Sequence, residues 1–157
     1  MIHVLFVCLG NICRSPMAEA VFRHEVEKQG LTDTIKVDSA GTGDWHIGHV
    51  PHEGTRHLLD QKKISYEGIK ARQVEDRDIT DYDYIIAMDA DNLGNIRKMA
   101  GYKETGFIGR LLDFVPDSKI SDVPDPYFTG NFDEVYEMVQ EGCQNLLELI
   151  KKEKLNG

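Results

Sequence analysis

The run His3-Val4-Leu5-Phe6-Val7 constrains the fold of this chain more than any other stretch. It carries apolar side chains at consecutive positions, and a glycine turn at Gly10 follows it almost at once. A strand with both faces apolar must be covered on both, as in a parallel sheet with helices above and below. The remainder repeats the alternation of β-rich runs and amphipathic segments that marks an α/β domain. A helix is expected after the first loop, with Ser15 as its cap, Pro16 in its first turn and Gly30 at its end. Ala18, Val21, Phe22 and Val26 form its inner face. Ile35 to Ser39 reads as a second strand, leading into a polar loop from Gly41 to Gly48. Pro51 opens a further helix with Leu58 and Leu59 inward. Tyr84 to Met88 is a third strand, and Asp89 or Asp91 caps the helix of Leu93 and Ile96, which Gly101 ends. Thr105 to Ile108 is a fourth strand, and Pro116 to Gly130 a loop. The last helix, capped by Asn131, carries Phe132, Val135, Tyr136, Val139, Cys143, Leu146, Leu147 and Ile150 along one apolar stripe. Right-handed crossovers then give one domain over residues 1–157: three layers, with a four-stranded parallel sheet and helices on both faces.

Composition narrows the functional classes. With 18 Lys+Arg against 27 Asp+Glu the formal net charge is −9. Such a balance opposes binding to duplex nucleic acid or to anionic membrane, each of which draws on a surplus of Lys and Arg. The three cysteines Cys8, Cys13 and Cys143 are too few and odd in number for a disulfide framework, so a reducing cytoplasm is the expected setting. No basic leader and no run of roughly 18 apolar residues is present, so a soluble, unprocessed protein is expected.

Ligands of such sheets sit beyond the carboxyl ends of the strands, which directs attention to Cys8-Leu9-Gly10-Asn11-Ile12-Cys13-Arg14-Ser15. Gly10 and Asn11 tolerate unusual backbone angles. A loop of this kind curls so that successive N–H groups face one centre, a nest for an oxyanion, and the helix start adds its positive end. Arg14 offers a planar fork to two oxygens of a phosphoryl group. The same field favours the thiolate form of Cys8, which turns it from a small buried hydrophobe into a candidate nucleophile. Cys13 and Cys143 read as structural, although Cys13 is near enough to Cys8 for a reversible disulfide under oxidation.

Attack on a phosphate ester also needs a proton for the leaving oxygen. Among the acidic residues, Asp125 stands apart in Val123-Pro124-Asp125-Pro126-Tyr127-Phe128. Pro126 keeps it out of helical geometry, and two aromatics follow that could wall an aromatic leaving group. Asp122 is its nearest competitor, and a simple turn is the alternative role for this dipeptide.

The segment Val7 to Ala20, with Cys8, Asn11, Arg14, Ser15 and Pro16 in place, resembles the signature of the low-molecular-weight protein tyrosine phosphatases, bacterial type. Asp125-Pro126-Tyr127 resembles that family's acid loop, and Val37 to Thr42, Ala71-Arg72-Gln73 and Tyr84 to Asp89 fall in the family's order. The resemblance implies a flavodoxin-like fold and a two-step hydrolysis of phosphotyrosine without metal or cofactor. Cys8 would be the nucleophile, Arg14 the phosphate ligand and Asp125 the acid and then base. It further implies that Leu9, Gly10, Ile12 and Cys13 complete the phosphate loop, and that Asn11, with Ser39 behind it, holds the loop's shape. Ser15 would hydrogen-bond the Cys8 sulfur, and Asp89 would either orient Arg14 or cap its helix. Trp45 would face Tyr127 and Phe128 across the substrate ring. Partners would be phosphotyrosine proteins or peptides, with inorganic phosphate and other oxyanions as product or inhibitors, and a monomer is the expected state. Two departures stand out: Ile69 occupies a position where many members carry a His that supports the Asn, and Phe128 replaces a frequent Tyr.

Three other activities compete. Protein-arginine phosphatases tend to carry Thr at the position of Ile12, arsenate reductases relay a disulfide through two downstream cysteines, and a silent phosphopeptide-binding module would be expected to lack Cys8 or Asp125. The acidic surface bears on specificity. Phosphotyrosine peptides with acidic flanks are expected to bind more weakly at low salt than neutral or basic ones, with the gap closing as salt is added. Competition binding at two ionic strengths checks this, and a preference for acidic flanks would contradict it.

Overall fold

The computed structural model describes residues 1–101 and 106–155. Its central strand, β1 (Ile2–Cys8), is buried from Val4 through Cys8, as a strand covered on both faces must be. Around it lie α1 (Arg14–Lys28), β2 (Ile35–Gly41), α2 (Glu53–Gln61), α3 (Asp76–Asp81), β3 (Tyr84–Ala87), α4 (Ala90–Met99), β4 (Phe107–Arg110), α5 (Pro126–Thr129) and α6 (Phe132–Ile150). All pairings are parallel, in the order β2-β1-β3-β4. Alternate residues of β1 enter different layers. Val4, Phe6 and Cys8 join the core formed with α1, α2 and α6, while Leu5 and Val7 join a smaller one with Ile79 of α3, Ile85 of β3 and Ile96 of α4. The expected three-layer α/β architecture with four parallel strands is therefore observed.

Several local expectations are corrected. Cys13, not Ser15, is the N-cap residue of α1, and Ser15 turns its hydroxyl inward instead. Gly30 does end α1, at φ 70°. β2 runs two residues past Ser39 because its register with β1 continues to Cys8 opposite Gly41. Pro51 precedes α2 by two residues, and His52 caps that helix by accepting from Gly54 N. The short α3 was not expected; it is closed by Asp78, whose carboxylate accepts from Glu75 N at 2.7 Å. The fourth strand lies at Phe107–Arg110, in register with Tyr84 to Ala87, and the expected start at Thr105 lies outside the described residues. A 3-10 turn at Leu111–Phe114 follows it. Within the Pro116 to Gly130 loop, Pro126 starts the single turn of α5. Asn131 occupies the cap position of α6 but makes no side-chain capping bond.

Helix α6 packs on α1 and on the 3-10 turn, with Val139, Cys143, Leu146, Leu147 and Ile150 fully buried. Its one glycine, Gly142, sits against Leu111, where an added Cβ would meet Leu111 Cγ at 2.6 Å. Helix propensity favours Ala over Gly by roughly 0.5–1 kcal/mol. Overpacking a filled core costs about 1–3 kcal/mol, so the clash outweighs the propensity. Gly142→Ala is expected to lower the unfolding temperature; a rise in thermal denaturation would show that Leu111 yields without cost.

Candidate active site

The carboxyl end of β1 delivers Cys8 to the centre of a tightly held loop. The Cys8, Leu9 and Ile12 carbonyls accept from Thr42 N, Gly43 N and His52 N at 2.9, 2.9 and 2.7 Å, and the Cys13 carbonyl accepts from Thr55 Oγ1 at 3.2 Å. Trans peptides place each N–H opposite its neighbouring carbonyl. With these carbonyls tied outward, the N–H groups of Leu9, Gly10, Cys13 and Arg14 turn toward the concave side. Asn11 makes the bend at φ 55°, and its own N–H approaches Cys8 Sγ at 3.3 Å.

A chain of side-chain bonds fixes this shape from behind. The two hydrogens of the Asn11 amide go to Ser15 Oγ at 2.7 Å and Ser39 Oγ at 2.9 Å. Its oxygen accepts from Arg72 N at 3.0 Å, which sets the amide's orientation. Ser15 Oγ lies 2.9 Å from Cys8 Sγ. Ser39 donates in turn to Glu19 Oε1 at 2.7 Å. Ile69 is simply core, and the loop's support comes from Ser39, Glu19 and the Arg72 backbone. Glu19 was missed by sequence reasoning. The signal was present: it is the single charge in the apolar run Met17 to Phe22.

Arg14 is buried, and its fork is aimed by partners on two other elements. Nη1 donates to Asp89 Oδ2 at 2.6 Å and to the Val123 carbonyl at 3.0 Å, while Nη2 lies 3.5 Å from Asp125 Oδ2. Burial works against its charge, but Cys8, Asp89 and Asp125 more than offset this and hold the guanidinium firmly protonated. Arg14 Nε is buried and has no hydrogen-bond partner among the described residues. Asp89 performs both roles considered for it, since its other oxygen accepts from Asn92 N at 2.8 Å and caps α4. Asp125 has extended backbone angles and accepts from Tyr127 N at 3.1 Å, which fixes its carboxylate at the rim. Asp122 is engaged elsewhere, by Ala90 N and Arg110.

Together these groups enclose a cavity of about 200 Å³ lined by Cys8, Leu9, Gly10, Ile12, Cys13, Arg14, Trp45, His46, Asp125, Tyr127 and Phe128. Trp45, Tyr127 and Phe128 are largely exposed on its rim. The indole lies directly over Gly43, where a Cβ would displace the Trp45 ring. His46 belongs to the lining, although no feature of the sequence beyond its place next to Trp45 pointed to it. The three thiols are free and differ in environment. Burial, with Cys8 and Asp125 nearby, pushes the Cys13 thiol up to about 12, and burial raises that of Cys143 further. Neither is poised as a nucleophile at neutral pH.

Burial also pushes the Glu19 carboxyl up, from 4.5 to about 7, against the Ser39 hydrogen bond and the pull of Arg23 and Arg72, with Asp38 adding to the rise. The folded protein thus holds this proton more tightly than the unfolded chain. The resulting stabilisation is complete below pH 4.5 and is lost as pH rises through about 7. Relative to Glu19→Gln, the wild type is expected to lose on the order of 3 kcal/mol of unfolding free energy across that window. Denaturant titrations at both ends of the window check this, and a constant difference would contradict it.

Comparison with known proteins agrees with the geometry. The family model for low molecular weight phosphotyrosine protein phosphatase matches residues 3–156. The chain is 61% identical over 154 residues to the low molecular weight protein-tyrosine-phosphatase YfkJ of Bacillus subtilis, covering 98% of this chain and 99% of that one. The crystal structure of YfkJ superposes with a TM-score of 0.96, covering 98% and 97% of the two chains. The protein-tyrosine-phosphatase PtpA of Staphylococcus epidermidis is 50% identical over 98% of this chain and 96% of its own. A Drosophila arginine phosphatase is 36% identical, with a TM-score of 0.89 over 96% of this chain and 99% of that one. The chain belongs to the low molecular weight phosphotyrosine protein phosphatases and is an enzyme of that class.

Proposed function

We propose that the protein hydrolyses phosphotyrosine in proteins through a cysteinyl phosphate, with Cys8, Arg14 and Asp125 as its catalytic residues. The observation that carries this reading is the convergence on one cavity of Cys8, Arg14 and Asp125, with Arg14 Nη2 3.5 Å from Asp125 Oδ2. The phosphoryl group would sit in the concave loop, its oxygens facing the N–H groups of Leu9, Gly10, Cys13 and Arg14 and the Arg14 fork.

In the first step Cys8 Sγ attacks phosphorus as the bond to the phenolic oxygen breaks, and protonated Asp125 gives its proton to that oxygen. In the second, the Asp125 carboxylate takes a proton from water while the water oxygen attacks phosphorus. The S–P bond then breaks, returning Cys8 as thiolate and releasing inorganic phosphate. The N–H groups and guanidinium stabilise the equatorial oxygens in both steps without rearrangement. Ser15 donates to the sulfur and so favours its departure as thiolate.

Trp45, Tyr127 and Phe128 suit a flat aryl group, with Leu9 and Ile12 as apolar lining. That rim, and Ile12 in the loop, favour phosphotyrosine over phosphoarginine. No helix among the described residues is long and apolar enough to cross a membrane, and the three free thiols fit a reducing compartment.

Cys8→Ser is expected to abolish release of phenol from aryl phosphates while phosphate binding persists. Asp125→Asn should cost roughly 10²–10⁴-fold on phenyl phosphate, the range typical of a general acid, and far less on an ester whose leaving group needs no proton. Steady-state kinetics on the two esters checks this. Equal losses on both would remove Asp125 from the role of proton donor, and turnover by Cys8→Ser would remove the nucleophile.

A further inference from the structure

We propose that Glu19 is a positioning residue for Cys8, acting through Ser39 and Asn11 without touching the substrate. This rests on the reading of Cys8 as nucleophile and deepens it. Asn11 is a double donor: one amide hydrogen goes to Ser15 and the other to Ser39, with the amide oxygen pinned by Arg72 N. A hydroxyl has a single proton to give. Ser39 gives its proton to Glu19, so it meets Asn11 with a lone pair. Ser15 receives a hydrogen from Asn11, and its own proton is available to the Cys8 sulfur 2.9 Å away. The two arms of the network therefore run outward from Asn11 and each ends on an acceptor, Cys8 at one end and Glu19 at the other.

Without an acceptor at position 19, the Ser39 proton has no fixed direction. The lone pair that holds Asn11 is then no longer presented. Asn11 carries a left-handed backbone conformation, φ 55°, that is maintained only while its surroundings over-determine it. Loosening it would release the Cys8 sulfur from Ser15 and from Asn11 N together. Glu19 is also held at a cost, because its carboxylate is buried among apolar neighbours of α1, with Arg23 on the same helix, Asp38 on β2 and Arg72 in the segment before α3 as the charged groups around it. A buried carboxyl hydrogen-bonded into the support of a reactive loop points to function more than to stability.

The test compares kcat and KM for p-nitrophenyl phosphate in the wild type, Glu19→Ala, Glu19→Gln, Ser39→Ala and the Glu19→Ala/Ser39→Ala double variant, from about pH 5 to 9 so as to span the Glu19 ionisation. Glu19→Ala is expected to lower kcat by roughly tenfold, as loss of a charge-assisted hydrogen bond would, while KM changes much less. The double variant should be no slower than Ser39→Ala alone, because both act on one path. Glu19→Gln, whose amide oxygen still accepts, should recover most of the kcat lost in Glu19→Ala. Wild-type kcat in Glu19→Ala, or losses that multiply in the double variant, would overturn the proposal. If Glu19→Ala does not fold, an unchanged kcat in Ser39→Ala overturns it equally. Cys8→Ser run alongside separates the two readings: turnover there defeats the nucleophile itself, whatever the Glu19 variants do.

Discussion

The side-chain amide of Asn11 is the interaction on which the rest of the site depends. It sits at the bend of the loop in a left-handed conformation, gives both of its hydrogens to Ser15 and Ser39, and accepts from the Arg72 backbone. These partners come from α1, from β2 and from the segment before α3. The loop's curvature is thus set by how the sheet and helices pack, not by the loop alone. A nest of N–H groups attracts an anion only if it is formed before the anion arrives. The outward-tied carbonyls of Cys8, Leu9, Ile12 and Cys13 show how that preorganisation is built.

A second set of ties joins the loop to the acid. Arg14 donates to Asp89 at the end of β3 and to the Val123 carbonyl, and Val123 N donates to the Met88 carbonyl at 2.8 Å. The stretch bearing Asp125 is therefore fastened to the sheet two residues before the carboxylate. Pro124 and Pro126 stiffen it on either side. Because Asp89 also caps α4, one carboxylate couples the phosphate ligand to a helix start. Net charge says little about such a site. The chain carries −9, yet the anion-binding elements are backbone N–H groups, a helix terminus and one buried guanidinium.

The sequence made the framework legible wherever a period or a run was strong. The doubly apolar β1, the stripe of α6 and the loop between β1 and α1 were all readable, and Cys8, Arg14, Asp125, Trp45, Tyr127 and Phe128 do line one cavity. The less legible parts depend on tertiary contacts. Ser15 looked like a cap because Ser favours that position, but its hydroxyl is committed to Asn11 and Cys8. Ser39 was legible as a partner of Asn11, but the rest of its support was not once Ile69 replaced a polar partner, since that comes from a glutamate on the inner face of a helix and from a main-chain N–H. Short elements such as α3 and the 3-10 turn lack the length for a periodic signal. His46 enters the cavity through the path of its loop, to which no spacing rule applies.

The central claim is that this preformed loop presents Cys8 sulfur, and no other atom of the protein, to the phosphoryl group. Acid quenching of Asp125→Asn during turnover of an aryl phosphate with a good leaving group, followed by peptide mapping, tests it most directly. The account predicts one phosphoryl group, carried by the peptide that contains Cys8 and bound through sulfur. A phosphoryl group on any other side chain, or rapid turnover with no phosphorylated intermediate trapped, would contradict it.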